Sequence, residues 1–157
     1  MPDPSVIHST FVIQRNYPKS PEQVFSAFAD TTKKRRWYAE GRNHEVEDFK
    51  MDFRVGGAEY VRYRFSEGTP FKGVEVTNDG SFQDIVPNRR VVIASHMTFG
   101  EKPISVSLVT IELLPAGNGT DLICTHQGVF FEGGEGPRMR EAGWQQLFDK
   151  LEKSLAS

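Results

Sequence analysis

Apolar and polar side chains alternate with a period of two in the run VEDFKMDFRV, residues 46–55. Phe49, Met51 and Phe53 share one parity, and the residues between them are charged. This alternation is typical of a strand that has one face on a core and the other in solvent. Comparable runs predict further strands at 7–16, 58–66, 71–77, 81–86, 90–99, 104–114 and 120–130, with turns at 67–70, 78–80, 87–88 and 118–119.

Helical spacing replaces this alternation near both ends of the chain. In SPEQVFSAFAD, Ser20 and Gln23 form a capping box and predict a helix that begins at Pro21. A second short helix is expected at 31–38, where we interpret the basic run 33–36 as its solvated face. After Pro137, a long amphipathic helix is predicted from an apolar stripe at Trp144, Leu147, Phe148, Leu151 and Leu155.

The order of these elements predicts the fold class. One strand, two short helices, a run of antiparallel strands and one long helix indicate an α+β protein. The terminal helix is expected to cover the apolar concave face of the sheet. We find no repeat and no linker-like change of composition, so residues 1–157 are interpreted as a single domain.

Six segments occur in the order that characterises a known family: SPEQVFSAFAD, WYAEG, FRVGG, DIVPNRRVV, the GT-x-L of GTDLICTHQG, and GWQQLFDKLEKSL. Together they resemble the Hsp90-ATPase-activator-homologue family of the START-like (SRPBCC, helix-grip) superfamily, from about residue 8 to residue 155. The resemblance implies a curved antiparallel sheet wrapped around the C-terminal helix, with a cavity between them. It leaves the function open, because this fold hosts ligand carriers, cyclases and co-chaperone domains.

The hairpin around Gly56 and Gly57 decides which charge faces that cavity. A two-residue turn would put Arg62 and Arg64 on the apolar face, where burial without partners is costly. A three-residue loop, residues 55–57, instead pairs Phe53 with Glu59 and keeps the apolar faces together. We therefore predict the three-residue loop, which sends Glu59 into the cavity, although its carboxylate has an alternative position in water at the sheet edge.

Glu59 and His126 are the candidate acid–base groups. His126 shares the parity of Leu122 and Cys124 and is expected to point inward, whereas His96 has the outward parity. Two such groups would form an acid–base pair if they met. An inward histidine is also a common core residue, and the pattern does not decide between the two roles.

The candidate ligand-binding residues combine these two groups with predicted inward apolar positions. Trp37 is included because the corresponding corner lies near the cavity mouth in the proteins that this chain resembles. Each of the apolar residues has ordinary core packing as its alternative. The set is Trp37, Glu59, Val61, Tyr63, Met97, Phe99, His126, Phe130 and Trp144.

Composition removes several classes of function. The net charge is −2 over 157 residues, whereas nucleic-acid-binding proteins usually have an excess of basic residues, so that class is not expected. The N-terminus lacks the pattern of a signal peptide, and no apolar run is long enough to span a membrane, so we expect a cytoplasmic protein. A single cysteine, Cys124, allows no internal disulfide. No metal-binding or nucleotide-binding motif occurs, so no metal or cofactor is expected.

The leading hypothesis is a protein that binds a small, mainly hydrophobic or aromatic molecule between the sheet and the C-terminal helix. One alternative is an enzyme of the cyclase or hydrolase kind, with Glu59 and His126 as acid and base. Another is an Hsp90-type interaction module, although the resemblance covers only the domain equivalent to the C-terminal part of the eukaryotic co-chaperone. The sequence does not decide whether two copies form a homodimer through a sheet edge.

Overall fold

Seven antiparallel strands form one sheet in the order β1-β7-β6-β5-β4-β3-β2. In the computed structural model, which describes residues 6–156, the strands are β1 Val6–Tyr17, β2 His44–Met51, β3 Ala58–Phe65, β4 Glu75–Val86, β5 Arg90–Phe99, β6 Lys102–Ala116 and β7 Gly119–Phe131. The helices are α1 Pro21–Ala29, α2 Thr31–Lys34 and α3 Pro137–Ala156, and a π-helical turn spans Arg35–Ala39. The predicted helix-grip fold is therefore confirmed.

Strand β4 corrects one prediction. The pattern Asn-Asp-Gly predicts a turn at 78–80, but these residues lie within one continuous strand. Gly80 pairs with Glu59 on one side and with Ser95 on the other. Pairing on both edges outweighs the local turn preference of the tripeptide, as often happens in the middle of a sheet. Asn78 consequently becomes a sheet residue.

The β2–β3 hairpin corrects a second prediction. Strand β2 ends at Met51, which pairs with Glu59, so the connection is six residues long, 52–57, instead of three. The predicted Phe53–Glu59 pair is wrong by two positions. A shift of two leaves every side chain on its face, and the inward direction of Glu59 is confirmed by its 5% exposure.

Backbone hydrogen bonds explain the longer loop. The N–H of Asp52 donates to the Ala58 carbonyl, and the N–H of Gly57 donates to the Arg54 carbonyl. Gly56 has φ +85 and donates its N–H to Phe82 of β4. A Cβ at Gly57 would collide with the Asp52 carbonyl oxygen. The Gly-Gly pair is thus needed for a compact loop tied to β4.

Helices α1 and α3 cover one end of the concave face. Phe148 and Leu151 of α3 are fully buried there, in the main apolar cluster. The Tyr17 hydroxyl donates to the Phe148 carbonyl at 2.9 Å and holds α3 against β1. The N-terminal half of α3 lies over the middle of the sheet, where Arg140, Gly143 and Trp144 face residues of β3 to β7.

No helix in residues 6–156 is long and apolar enough to cross a membrane.

Candidate ligand-binding cavity

Small side chains run across the middle of the concave face. Each of five residues pairs with the next one across adjacent strands, from β3 to β7: Glu59, Gly80, Ser95, Ser107 and Gly128. The adjacent inward row is partly polar and consists of Val61, Asn78, Met97, Ser105 and Phe130. Of the first row, Ser95 and Ser107 border a hollow beneath α3, which their short side chains leave unfilled.

A cavity of about 260 Å³ lies in this hollow. Its wall combines the sheet, the π-helical turn and α3. The lining includes Tyr38, Val61, Tyr63, Asn78, Ser95, Met97, Ser107, His126, Glu135, Arg140, Gly143, Trp144 and Leu147. This volume lies just below the usual range of small-molecule sites, about 300–1,000 Å³.

Helix α3 contributes its wall residues through helical spacing. Arg140, Trp144 and Leu147 lie at i, i+4 and i+7, so they project from one face. Gly143 lies beside them, and a Cβ built there meets no atom within 4 Å. A helix-interior glycine costs about 1 kcal/mol relative to alanine. At this position it keeps the cavity wall open.

Buried polar atoms without a protein partner are concentrated in this cavity. In residues 6–156 these atoms are Asn78 Oδ1, His126 Nδ1 and Arg140 Nε. All three residues line the cavity. An unsatisfied buried polar group costs about 1–3 kcal/mol, so a bound molecule that supplied hydrogen bonds to these three residues would be stabilised.

His126 lies flat between aromatic rings. Its imidazole stacks on Phe11 at 4.6 Å between ring centroids and lies 6.0 Å from Phe130. Burial, together with the charge of Arg140, lowers the pKa of His126 from 6.5 to about 4. The side chain is therefore a neutral hydrogen-bonding group near pH 7.

This depressed pKa predicts a pH-dependent stability. The unfolded chain takes up the His126 proton below about 6.5, whereas the folded protein resists it until about 4. The free energy of unfolding should therefore fall by about 2–3 kcal/mol between pH 7 and pH 4.5 through this group. Urea unfolding of wild type and His126→Gln at both pH values measures the difference. His96→Gln, on the exposed face, is the control and should keep the wild-type dependence. Equal pH dependence in wild type and His126→Gln would contradict the assignment.

Glu59 is not a free acid. Its carboxylate accepts from Lys34 Nζ at 2.9 Å, and both side chains are buried. The ammonium also lies 4.5 Å from the centre of the Tyr38 ring, and the rings of Phe28 and Trp37 complete an aromatic enclosure. The interpretation of residues 33–36 as a solvated face is therefore wrong for Lys34. The basic run supplies the counterion for the buried acid.

Glu59 and His126 belong to different parts of the sheet. Strands β4, β5 and β6 separate β3, which carries Glu59, from β7, which carries His126. Glu59 lines a small cavity of about 30 Å³, whereas His126 lines the cavity of about 260 Å³. The structure thus gives each of them a different neighbour: Lys34 for Glu59, and Arg140 for His126.

The remaining predicted site residues divide by position. Four of them line the 260 Å³ cavity together with His126: Val61, Tyr63, Met97 and Trp144. Phe99 lines a neighbouring cavity of about 310 Å³, which shares Tyr63, Met97 and Glu135 with the first. Trp37 is 1% exposed and donates its indole N–H to the Ala27 carbonyl, and we correct its assignment to core packing. Phe130 lies beneath the guanidinium of Arg140, behind the wall.

Sequence reasoning missed Arg140 and Asn78. Arg140 lies four residues before Trp144, so helical spacing alone places it on the same face. Asn78 was assigned to a turn, and its inward position depends on the continuity of β4. Its amide Nδ2 donates to the Tyr38 hydroxyl at 3.0 Å, which connects the sheet to the π-helical turn.

Arg140 brings a positive charge to the cavity wall, beside the carboxylate of Glu135. Its Nη2 donates to Ser105 at 2.8 Å and to Glu135 at 2.6 Å, and its guanidinium lies 5.2 Å from the Phe130 ring centre. Among the described residues, no cluster of three or more His, Cys, Asp or Glu side chains is placed to hold a metal ion. The chemistry offered is hydrogen bonding and one partly neutralised cation.

Family membership follows from the sequence comparison. The sequence model of the family described as Activator of Hsp90 ATPase homolog 1-like protein matches residues 18–156. The chain belongs to this family. No curated protein matches the chain in sequence.

Solved structures of similar proteins agree with this membership. The Mll3558 protein from Rhizobium loti is 48% identical with a TM-score of 0.84, and the match covers 96% of this chain and 99% of that one. A putative uncharacterized protein from Rhizobium leguminosarum is 33% identical with a TM-score of 0.89, and the match covers 97% of each chain. An AHSA1-like protein from Aeromonas hydrophila shares the fold at 19% identity with a TM-score of 0.69. The match covers 94% of this chain and 92% of that one.

Proposed function

We propose that this member of the Hsp90-ATPase-activator-homologue family binds a small, mainly apolar or aromatic molecule in the cavity beneath α3. One observation carries the proposal: Asn78, His126 and Arg140, which each have a buried polar atom without a partner among residues 6–156, all line the same cavity. Apolar walls with a few converging polar groups are typical of small-molecule sites.

The size of the cavity limits the ligand. An apolar cavity of about 150 Å³ holds benzene. By the same ratio, about 260 Å³ accommodates a molecule of roughly ten non-hydrogen atoms. Rings from Tyr38, Tyr63 and Trp144 stand around it, which favours a flat aromatic part in the ligand.

Thermal unfolding with neutral aromatic probes tests the proposal. Indole, naphthalene and phenethyl alcohol should raise the melting temperature of the wild type through binding to the folded state. Ser95→Leu places bulk on the cavity wall and should abolish the shift. Ala94→Leu adds the same bulk to the opposite face of β5 and should preserve it. A wild type whose melting temperature no probe raises, or equal shifts in both variants, would overturn the proposal.

Two other functions have less support. An acid–base enzyme built on Glu59 and His126 would require two residues that three strands separate. An Hsp90-directed interaction module rests on the family description alone. A pull-down with purified Hsp90 addresses it directly, and retention that survives Ser95→Leu would assign that role to a surface outside the cavity.

A further inference from the structure

The guanidinium of Arg140 has hydrogen-bonding capacity that the protein leaves unused. Arginine carries five N–H donors in one plane. Two bonds are made by Nη2, to Ser105 and to Glu135, and Nη1 has a long contact of 3.5 Å with Ser107. Nε has no partner in the part of the chain that the structure describes. On the edge formed by Nε and Nη2, only Nη2 therefore donates hydrogen bonds.

That edge matches a carboxylate. Nε and Nη2 point in the same direction, and two parallel N–H···O bonds to one carboxylate are the strongest arrangement arginine makes. Glu135 accepts from Nη2 with one oxygen and leaves Nε unpaired. A carboxylate that engaged both nitrogens would satisfy the buried Nε and would compete with Glu135 for Nη2.

The position of Glu135 favours its release from the ion pair with Arg140. It lies between Gly134 and Gly136, and both Gly133 and Gly136 have a positive φ of 82. The Glu135 side chain is 27% exposed, whereas that of Arg140 is only 11% exposed. The carboxylate of Glu135 therefore has access to water, whereas the guanidinium is more deeply buried. An incoming carboxylate then replaces an outgoing one, and the charge balance around Arg140 is kept.

We infer that the ligand is an aryl-substituted carboxylate, and that its carboxylate displaces Glu135 from Arg140. The inference rests on the proposed function and names the chemical class of the ligand. The aromatic part lies among the cavity rings, and a neutral His126 and Asn78 remain for a second polar group. Glu135 lines both cavities together with Tyr63 and Met97, so its displacement would leave more space beside Arg140 for the acid.

Calorimetric titration with phenylacetate and phenylacetamide tests the inference, since the two probes differ only in charge and hydrogen bonding at one end. The wild type should bind phenylacetate at least tenfold more tightly than phenylacetamide. Glu135→Gln removes the competing charge and should tighten phenylacetate binding a further tenfold, with less than a threefold change for the amide. Glu132→Gln, an exposed position in the same loop, is the matched control and should change neither.

Arg140→Met should remove the preference for the acid. The double variant Glu135→Gln/Arg140→Met repeats this measurement without a carboxylate left unpaired, which separates loss of recognition from loss of folding. If the neutral probes bind but phenylacetate has no advantage, or Glu135→Gln leaves its affinity unchanged, the inference is wrong and the proposed function stands. If neither neutral nor acidic probes bind, both are wrong.

Discussion

Lys34→Met should lower the free energy of unfolding by about 3–5 kcal/mol, because it leaves the Glu59 carboxylate buried without its cation. Glu59 is 5% exposed, and Lys34 is the partner that the structure gives its carboxylate. Glu59→Leu alone should cost a similar amount, since the ammonium then stays buried among the aromatic rings. Urea unfolding followed by far-ultraviolet circular dichroism at pH 7 gives these values.

The double variant Lys34→Met/Glu59→Leu tests whether the loss of stability in the single variants comes from an unpaired buried charge. Replacing a buried ion pair by apolar side chains of similar volume is often close to neutral, so the double variant should be more stable than either single one. Lys33→Met is the matched control: this neighbouring lysine is exposed, and its loss should change stability by less than about 0.5 kcal/mol. If Lys34→Met behaves like Lys33→Met, the buried pair contributes nothing and the assignment is wrong.

Trp37→Ala should also cost about 3–5 kcal/mol, as expected for truncation of a fully buried aromatic residue. Its indole packs edge-on against Phe28 and stacks on Phe148 of α3, and it donates to the Ala27 carbonyl. The variant therefore opens a void where α1, the π-helical turn and α3 meet. The same unfolding experiment measures the loss.

Trp144→Ala is the comparison, because Trp144 is only partly buried and lines the cavity. It should destabilise the protein less than Trp37→Ala and should weaken binding of the neutral aromatic probes more than Trp37→Phe does. Comparison of the two variants thus separates the contribution of a tryptophan to core packing from its contribution to ligand binding. Equal losses of stability for Trp37→Ala and Trp144→Ala would contradict the placement of Trp37 in the core.

The direction of individual side chains was predictable from the chain alone. Alternation with a period of two places Glu59 and His126 inward and His96 outward, and the structure confirms all three. The stripe on α3 was predictable in the same way, from a period of 3.6. Both periods are properties of the local backbone, so they survive errors in loop length. The β2–β3 hairpin illustrates this, since a register shift of two left Glu59 on its predicted face.

The contacts between side chains that are distant in sequence were not predictable from the chain alone. Glu59 and Lys34 are 25 residues apart, and their contact depends on how α2 docks against β3. The pattern of residues 33–36 is equally compatible with a solvated basic face, since nothing in it distinguishes one lysine from the next. Asn78 shows the same limitation, because a local turn preference competed with pairing to two strands that only the complete sheet provides.

The sequence by itself determined the fold class, the family, the inward direction of Glu59 and His126 and the apolar face of α3, because these depend on repeating local geometry and on motifs in order along the chain. Tertiary structure alone decided the character of the cavity. Its hollow lies where Ser95 and Ser107 pair across two strands, and Asn78, His126 and Arg140 on its wall each have a buried polar atom without a partner among residues 6–156. Alignment across strands depends on long-range register, so the predicted acidic pocket became a site organised around Arg140, with Glu59 already neutralised by Lys34.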